Sequence, residues 1–266
     1  MTTHVAALAD TVDRRIHEID VAIRMAELQA VDSMEYSVLC RSTVVLISAY
    51  MEGFSRDLSR SVVNDHNEFS SFAQAPKGMQ RSFCRWFIDK EGKDGEDATK
   101  RLTDSLAASN VRFSPEAFLF DRNRNPAPAI LERLVATFGV RSLFRRLAGS
   151  SFDAFFAGDT VETRRLLDEV KQHVTDGVSS FPYQVNAAKF GIAGAGSEFP
   201  PNGKKTRSLW EDWLDSLMVA RHDVAHGKES QNQPSIADLV RFRDGALLLS
   251  LAALLVLCDH CRASAQ

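Results

Sequence analysis

Apolar residues along this chain recur at spacings of three and four, the period of helices with one buried face. Val12, Ile16, Ile19, Ile23 and Ala26 predict an amphipathic helix over about residues 4–30. A second is expected from Glu35 to about Asn64, with a dense apolar stretch, VVLISAYM (44–51), followed by a polar stripe of Glu52, Arg56, Asp57 and Arg60. Lys77 to Lys90 predicts a shorter helix with Phe83, Trp86 and Phe87 as its apolar face. EGKDGED (91–97) reads as a charged turn, with a further helix over Thr99 to Ser109. Ser114-Pro115 is a helix-start signal, DRNRNP (121–126) a polar turn, and Ala129 to Phe138 a helix stopped by Gly139. Thr160 to Val178 is helical in pattern, and residues 191–206 are the most loop-like segment. Ser208 to Ala225 predicts a helix with Leu209, Trp213, Leu217 and Ala220 inward, stopped by Gly227. Ser235 with Asp238 three residues on resembles a capping box opening a last helix to about Cys261. No run alternates in the manner of a strand, so the expected fold class is all-α.

The stretch GALLLSLAALLVLC (245–258) is apolar on every side. Its 14 residues span ~21 Å as a helix, against ~30 Å of bilayer hydrocarbon, so a helix buried within a bundle is expected rather than a membrane span. Composition supports an ordinary globular chain: 266 residues, 44% hydrophobic and 25% charged, with only 14 Gly and 8 Pro. That length allows a sizeable core without disulfides. A net charge of -3 gives no global attraction to nucleic acid or membrane, so any such contact must come from a local patch. Four scattered cysteines and an N-terminus without an apolar run point to a reducing cytoplasm.

The densest ionisable cluster is Arg221-His222-Asp223-Val224-Ala225-His226-Gly227. On a helix His222 and His226 share a face, while Arg221 lies on the flank, about 140° from His226. Imidazoles move protons near neutral pH, and a guanidinium holds phosphate bidentately, so the set suits phosphodiester cleavage. Cationic groups and a glycine also suit an ordinary helix C-terminus, where they cap it. The His-x-x-x-His spacing also matches a zinc-protease helix. There Asp223 would stand where the glutamate base belongs, one methylene short, and no third ligand is identifiable.

Other groups carry paired readings. Glu52 and Asp57 could orient an imidazole as a triad carboxylate does, or form a surface stripe. Residues 112–149 hold seven arginines against three carboxylates. Among these, Arg122, Arg124, Arg145 and Arg146 are candidates for tracking an RNA backbone, or for a salt-bridged face. Cys258-Asp259-His260-Cys261 looks like half a metal knuckle, or helix-end packing.

Arg221 followed by a polar residue and then His226 resembles the signature of the HEPN superfamily of helical ribonucleases and nucleotide-binding proteins. VVLISAYMEGFSRDL (44–58), DRNRNPAPAILERLVATFGV (121–140) and RHDVAHGK before Ser-x-x-Asp are similar in order to the RiboL-PSP-HEPN, or MAE-type HEPN-like, nucleases. Here His222 stands where Asn is common. The resemblance implies a single HEPN-like domain over residues 1–266, a four-helix core with a helical insertion at about 91–206. It implies endoribonuclease activity without metal or other cofactor, in a homodimer whose motifs face one cleft. His226 would be the general acid or base, Arg221 the phosphate ligand and His222 a second polar contact, with Glu52, Asp57 and Asp223 in support. Such an enzyme would be a cytoplasmic toxin or phage-defence effector acting on RNA, with an antitoxin or defence protein as partner. The alternative is a non-catalytic RNA- or nucleotide-binding, antitoxin-like protein. Lys228 occupies the place where some relatives carry a modifiable tyrosine.

Overall fold

In the computed structural model the structure describes residues 2–89, 91–109, 111–119, 126–194, 207–227 and 233–264. Among them the chain is helical and contains no strand. The helices are α1 (His4–Glu27), α2 (Met34–Phe69), α3 (Lys77–Trp86), α4 (Gly92–Ala107), α5 (Pro128–Thr137), α6 (Leu143–Leu147), α7 (Thr160–Val178), α8 (Leu209–Ala225) and α9 (Ile236–Ser264). Short 3₁₀ turns at Pro115–Phe118, Ser151–Ala157 and Ala187–Phe190 link the middle of the chain.

The bundle is organised around α2 and α9. Tyr36 of α2 lies against Ile236 at the start of α9, and Ser250 donates to the Met51 sulfur at 3.5 Å, so the two helices run parallel. The helix α1 runs against both. Its start meets Asp65 near the end of α2, and Arg15 reaches Asp57 further back along α2 at 2.7 Å. Its Asp20 pairs with Arg243 of α9. The helix α7 lies alongside α1 through Lys171–Asp13 and through Thr3, whose hydroxyl donates to the Val178 carbonyl. The helix α8 packs on α2 and α9. A Cβ at Gly245 would sit 2.4 Å from the Trp213 ring, so the absence of a side chain there admits the indole against α9.

The α9 helix explains this crowding. From Gly245 to Asp259 every residue is buried, so no single partner can shield it. It is long and apolar enough to cross a membrane by composition, yet 83% of its most apolar window is buried inside the protein. The core formed around it is continuous with that of the middle segment, where Phe113, Phe118 and Phe138 join the same cluster.

The buried Asp65 carboxylate fastens one end of the bundle. It accepts the backbone N–H groups of His4 at 2.6 Å and Val5 at 3.1 Å, which lie in the first turn of α1, and the Tyr183 hydroxyl at 2.8 Å. Helix starts present unsatisfied N–H groups that favour such an anion. Burial raises the Asp65 carboxyl above the usual range, while these three donors oppose that shift. Beside it the His66 ring is buried with no hydrogen-bond partner among the described residues, and burial lowers it to about 4.

Several local expectations are corrected. The segment 91–97 is not a turn: α4 begins at Gly92, and Gly95 is buried against its surroundings. Ser114-Pro115 opens only one 3₁₀ turn, and Ser114 makes no side-chain cap. On α8, Leu209 is 55% exposed and Trp210 is fully buried, because Phe155 stacks on Trp210 at 5.3 Å. Trp86 and Phe87, expected inward on α3, are both more than half exposed. Most of the polar turn at 121–126 and most of the loop at 191–206 lie outside the described residues.

Two stability predictions follow from this end of the bundle. Asp65→Ala leaves two helix-start N–H groups and a buried phenol without their acceptor, and should cost about 3 kcal/mol in chemical denaturation. A loss below about 1 kcal/mol would show that the carboxylate is not a fastening. For His66, the unfolded state binds the extra proton between about 6.5 and 4. Stability should therefore fall as pH drops through that window, by at most ~1.4 kcal/mol per pH unit. Asp65, with its raised carboxyl, acts in the opposite sense in acid, so the measurement is the difference between wild type and His66→Phe. Parallel pH profiles for the two proteins would refute the His66 contribution.

Candidate active site at the end of helix α8

The helix α8 is capped by a reciprocal box: the Ser208 hydroxyl accepts the Glu211 N–H at 3.2 Å, and the Glu211 carboxylate accepts the Ser208 N–H at 2.8 Å. Its buried residues are Trp210, Trp213, Leu214 and Leu217. From Met218 to Gly227 no residue is buried. The helix therefore spends its first half on the core and extends its second half towards solvent.

The candidate residues occupy that second half. His226 is the C-cap, and its N–H donates to the His222 carbonyl at 3.0 Å. Gly227 follows with φ +62, the left-handed conformation that ends a helix at little cost for glycine. The rings of His222 and His226 lie 4.1 Å apart between centroids, tilted by 48°, and both residues are exposed. Arg221 is half-buried on the flank and, among the described residues, has no hydrogen-bond or ion-pair partner. Asp223 is half-buried between them in sequence and has a polar contact of its own. The structure thus brings together two accessible imidazoles, with a guanidinium one residue before them that is not committed to a carboxylate.

The proposed supporting carboxylates do not join them. Glu52 pairs with Arg56 one turn along α2. Asp57 pairs with Arg15 at 2.7 Å and lies 3.9 Å from Arg60. Each is occupied by an arginine of α1 or α2, and neither holds an imidazole of α8. The polar stripe of α2 places Arg56 four residues from Glu52 and Arg60 three from Asp57, and α1 adds Arg15.

The arginine candidates divide. Arg122 and Arg124 lie outside the described residues. Arg145 is half-buried in the last turn of α6. Arg146 is 4% exposed and binds backbone instead of solvent. Its Nε donates to the Arg141 carbonyl at 2.7 Å, and its Nη1 donates to the carbonyls of Ala193, at 2.8 Å, and Gly194. A guanidinium enclosed in this way fastens the 193–194 segment to α6 and is not presented to a nucleic-acid backbone. The other metal-like group also resolves into packing. Cys258 and Cys261 are buried, and burial pushes the Cys261 thiol up to about 12. Among the described residues no three His, Cys, Asp or Glu side chains converge as a metal-binding group, so the His222/His226 pair has no third ligand there.

No protein-family model matches this chain, and no curated protein or solved structure matches it either. The site is therefore read from its own geometry.

Because the Arg146 guanidinium is desolvated and satisfied by carbonyls, Arg146→Ala should destabilise the fold by roughly 2–3 kcal/mol. Arg145→Ala should leave stability within about 0.5 kcal/mol. Thermal denaturation of both variants checks the contrast, and equal melting temperatures would contradict it.

Proposed function

We propose that this chain is an endoribonuclease of the HEPN type, acting as a homodimer on RNA. The observation that carries the reading is the exposed His222–His226 pair at the end of α8, with Arg221, unpaired among the described residues, next to it in sequence. Helix geometry makes the two rings neighbours, and an exposed pair of imidazoles with a guanidinium uncommitted among the described residues is more than a helix cap requires. The chemistry such groups perform on RNA is transesterification. The ribose 2′-hydroxyl attacks phosphorus as an imidazole takes its proton. The bond to the 5′-oxygen breaks as a protonated imidazole supplies the proton to that oxygen, leaving a 2′,3′-cyclic phosphate. Arg221 binds the non-bridging oxygens, whose charge grows in the transition state.

The geometry favours two copies. Attacking and leaving oxygens stand on opposite sides of phosphorus, whereas the two rings of one chain lie side by side at 4.1 Å. One pair thus serves one side of the phosphate, and a second copy supplies the other. The last turns of α8 are free to meet a partner, since none of their residues is buried and Val219, one turn before His222, is 59% exposed. Symmetric pairing through one patch is the commonest way to build such a composite cleft. Unchecked RNA cleavage harms the cell that carries it, so we assign the protein to a toxin or defence role in the cytoplasm, restrained by a partner protein.

RNA should be cut in the presence of EDTA, with 2′,3′-cyclic ends, while DNA of the same sequence survives for lack of the 2′-hydroxyl. His226→Ala should reduce the rate about a hundredfold or more, and Arg221→Lys should also be damaging because an ammonium lacks the bidentate fork. The loss in Glu52→Gln should be small, since that carboxylate is paired elsewhere. Activity abolished by EDTA and restored by zinc would overturn the mechanism. Full activity in a monomer, established by sedimentation at the assay concentration, would overturn the composite cleft.

A further inference from the structure

A second cleft lies away from α8. It is an open space of about 970 Å³ between the end of α2, the start of α3, the segment after α5, and Phe181-Pro182. Three cations line it from two of these elements: Lys77 and Arg81 on α3, and Arg141 just beyond α5. No carboxylate is among its lining residues, and among the described residues none of the three cations has a carboxylate partner. All three are exposed. In a chain with net charge -3, three cations lining one concave surface without a counter-charge offer a site to an external anion.

The cleft is held in shape by its surroundings. A Cβ at Gly78 would lie 2.2 Å from the Gly139 Cα, so the first turn of α3 and the end of α5 touch backbone to backbone. Gly139 itself has φ +100, which turns the chain so that Arg141 follows on the cleft side. The start of α3 carries no acidic residue and no side-chain cap, which adds to the positive potential there. The same cleft is lined by an aromatic platform. Phe69 and Phe181 stack at 5.9 Å and 24°, and Phe181 is also held edge-on by His66 at 5.1 Å and Tyr183 at 5.2 Å. Both rings line the cleft, and both are half-buried.

A ligand matching these features has a flat apolar ring at one end and two or more negative charges at the other. We propose that this cleft binds a nucleotide, with the base against Phe69 and Phe181 and the phosphates at Lys77, Arg81 and Arg141. The phosphates belong either to a free nucleoside diphosphate or to the 5′-phosphorylated end of an RNA. This assignment does not rest on ribonuclease activity, because no residue of α8 lines the cleft.

The test is equilibrium binding by calorimetry to the full chain, with ADP, pyrophosphate, and a short RNA with and without a 5′-phosphate. ADP or the 5′-phosphorylated RNA should bind, and the tighter of the two identifies the source of the phosphate. Binding should weaken about tenfold or more in Arg81→Ala and in Arg141→Ala, the scale of one lost charge-assisted contact. Both positions are exposed, so an unchanged melting temperature will confirm that the variants fold. Pyrophosphate should bind about tenfold more weakly than ADP, the scale of one base stacked on an aromatic ring. His226→Ala should bind ADP as wild type does. The proposal is overturned by any of four results: no binding of ADP or phosphorylated RNA at concentrations on the order of 1 mM, binding unaffected by either arginine variant, pyrophosphate binding as tightly as ADP, or loss of ADP binding in His226→Ala. None of these readouts requires RNA to be cut, so this proposal and the ribonuclease reading fail separately.

Discussion

A helix that is apolar around its whole circumference is tolerated in water only when other elements surround it, and α9 imposes that condition on this chain. Each side of the stretch from Gly245 to Asp259 needs a cover, and α1, α2, α7 and α8 supply it. At roughly 25 cal/mol per Å² of apolar surface removed from water, leaving one face open would cost several kcal/mol, a large share of a domain's stability. The hydroxyl within that stretch, Ser250, is accommodated against the Met51 sulfur. Polar groups return at the ends, where Arg243 pairs with Asp20 and Asp244, and Arg262 with Asp259. Enclosure of α9 therefore brings α1 and α2, from the beginning of the chain, together with α7 and α8 from its later part.

The Asp65 cluster meets a different need at one end of this enclosure. It exchanges water for three directed donors and so fixes where α1 starts relative to α2 and to Tyr183. The adjacent His66 is buried without a hydrogen-bond partner among the described residues and contributes shape through its edge-on contact with Phe181. Phe181 in turn forms part of the platform of the cationic cleft. The buried polar cluster and the cleft are thus joined by contacts that run from Asp65 through Tyr183 to Phe181.

Much of the helical pattern was legible in the sequence because helix periodicity is local. The Val12 to Ala26 series is the buried face of α1, and the all-round apolar stretch is the enclosed part of α9. The Ser235/Asp238 box is also present as read, with the Asp238 N–H donating to the Ser235 hydroxyl at 3.2 Å. Less legible were features decided by partners distant in sequence. Trp210 rather than Leu209 turns inward because Phe155 and Phe156 wait on that side. Arg146 resembled its neighbours in a basic run, but carbonyls at 193 and 194 enclose it. The His222/His226 pair was legible, since residues four apart on a helix must be neighbours. The cationic cleft was not, because Lys77, Arg81 and Arg141 meet only through the Gly78–Gly139 approach.

The division within α8 separates a packed half from an exposed half that carries the candidate residues. Every buried residue of the helix falls between Trp210 and Leu217, so the first half supplies the packing energy. The second half is held by backbone hydrogen bonds and ended by a glycine in a left-handed conformation. Changing Arg221, His222 or His226 removes little buried surface, which leaves these positions open to selection for chemistry. Two unburied turns of helix gain little from their own chain, since isolated helical turns are marginal in water. They become more favourable when a second surface covers them, and a second copy of the same helix would do so while bringing a second pair of imidazoles. Stability at this end and completion of the proposed active site would then be satisfied by one association.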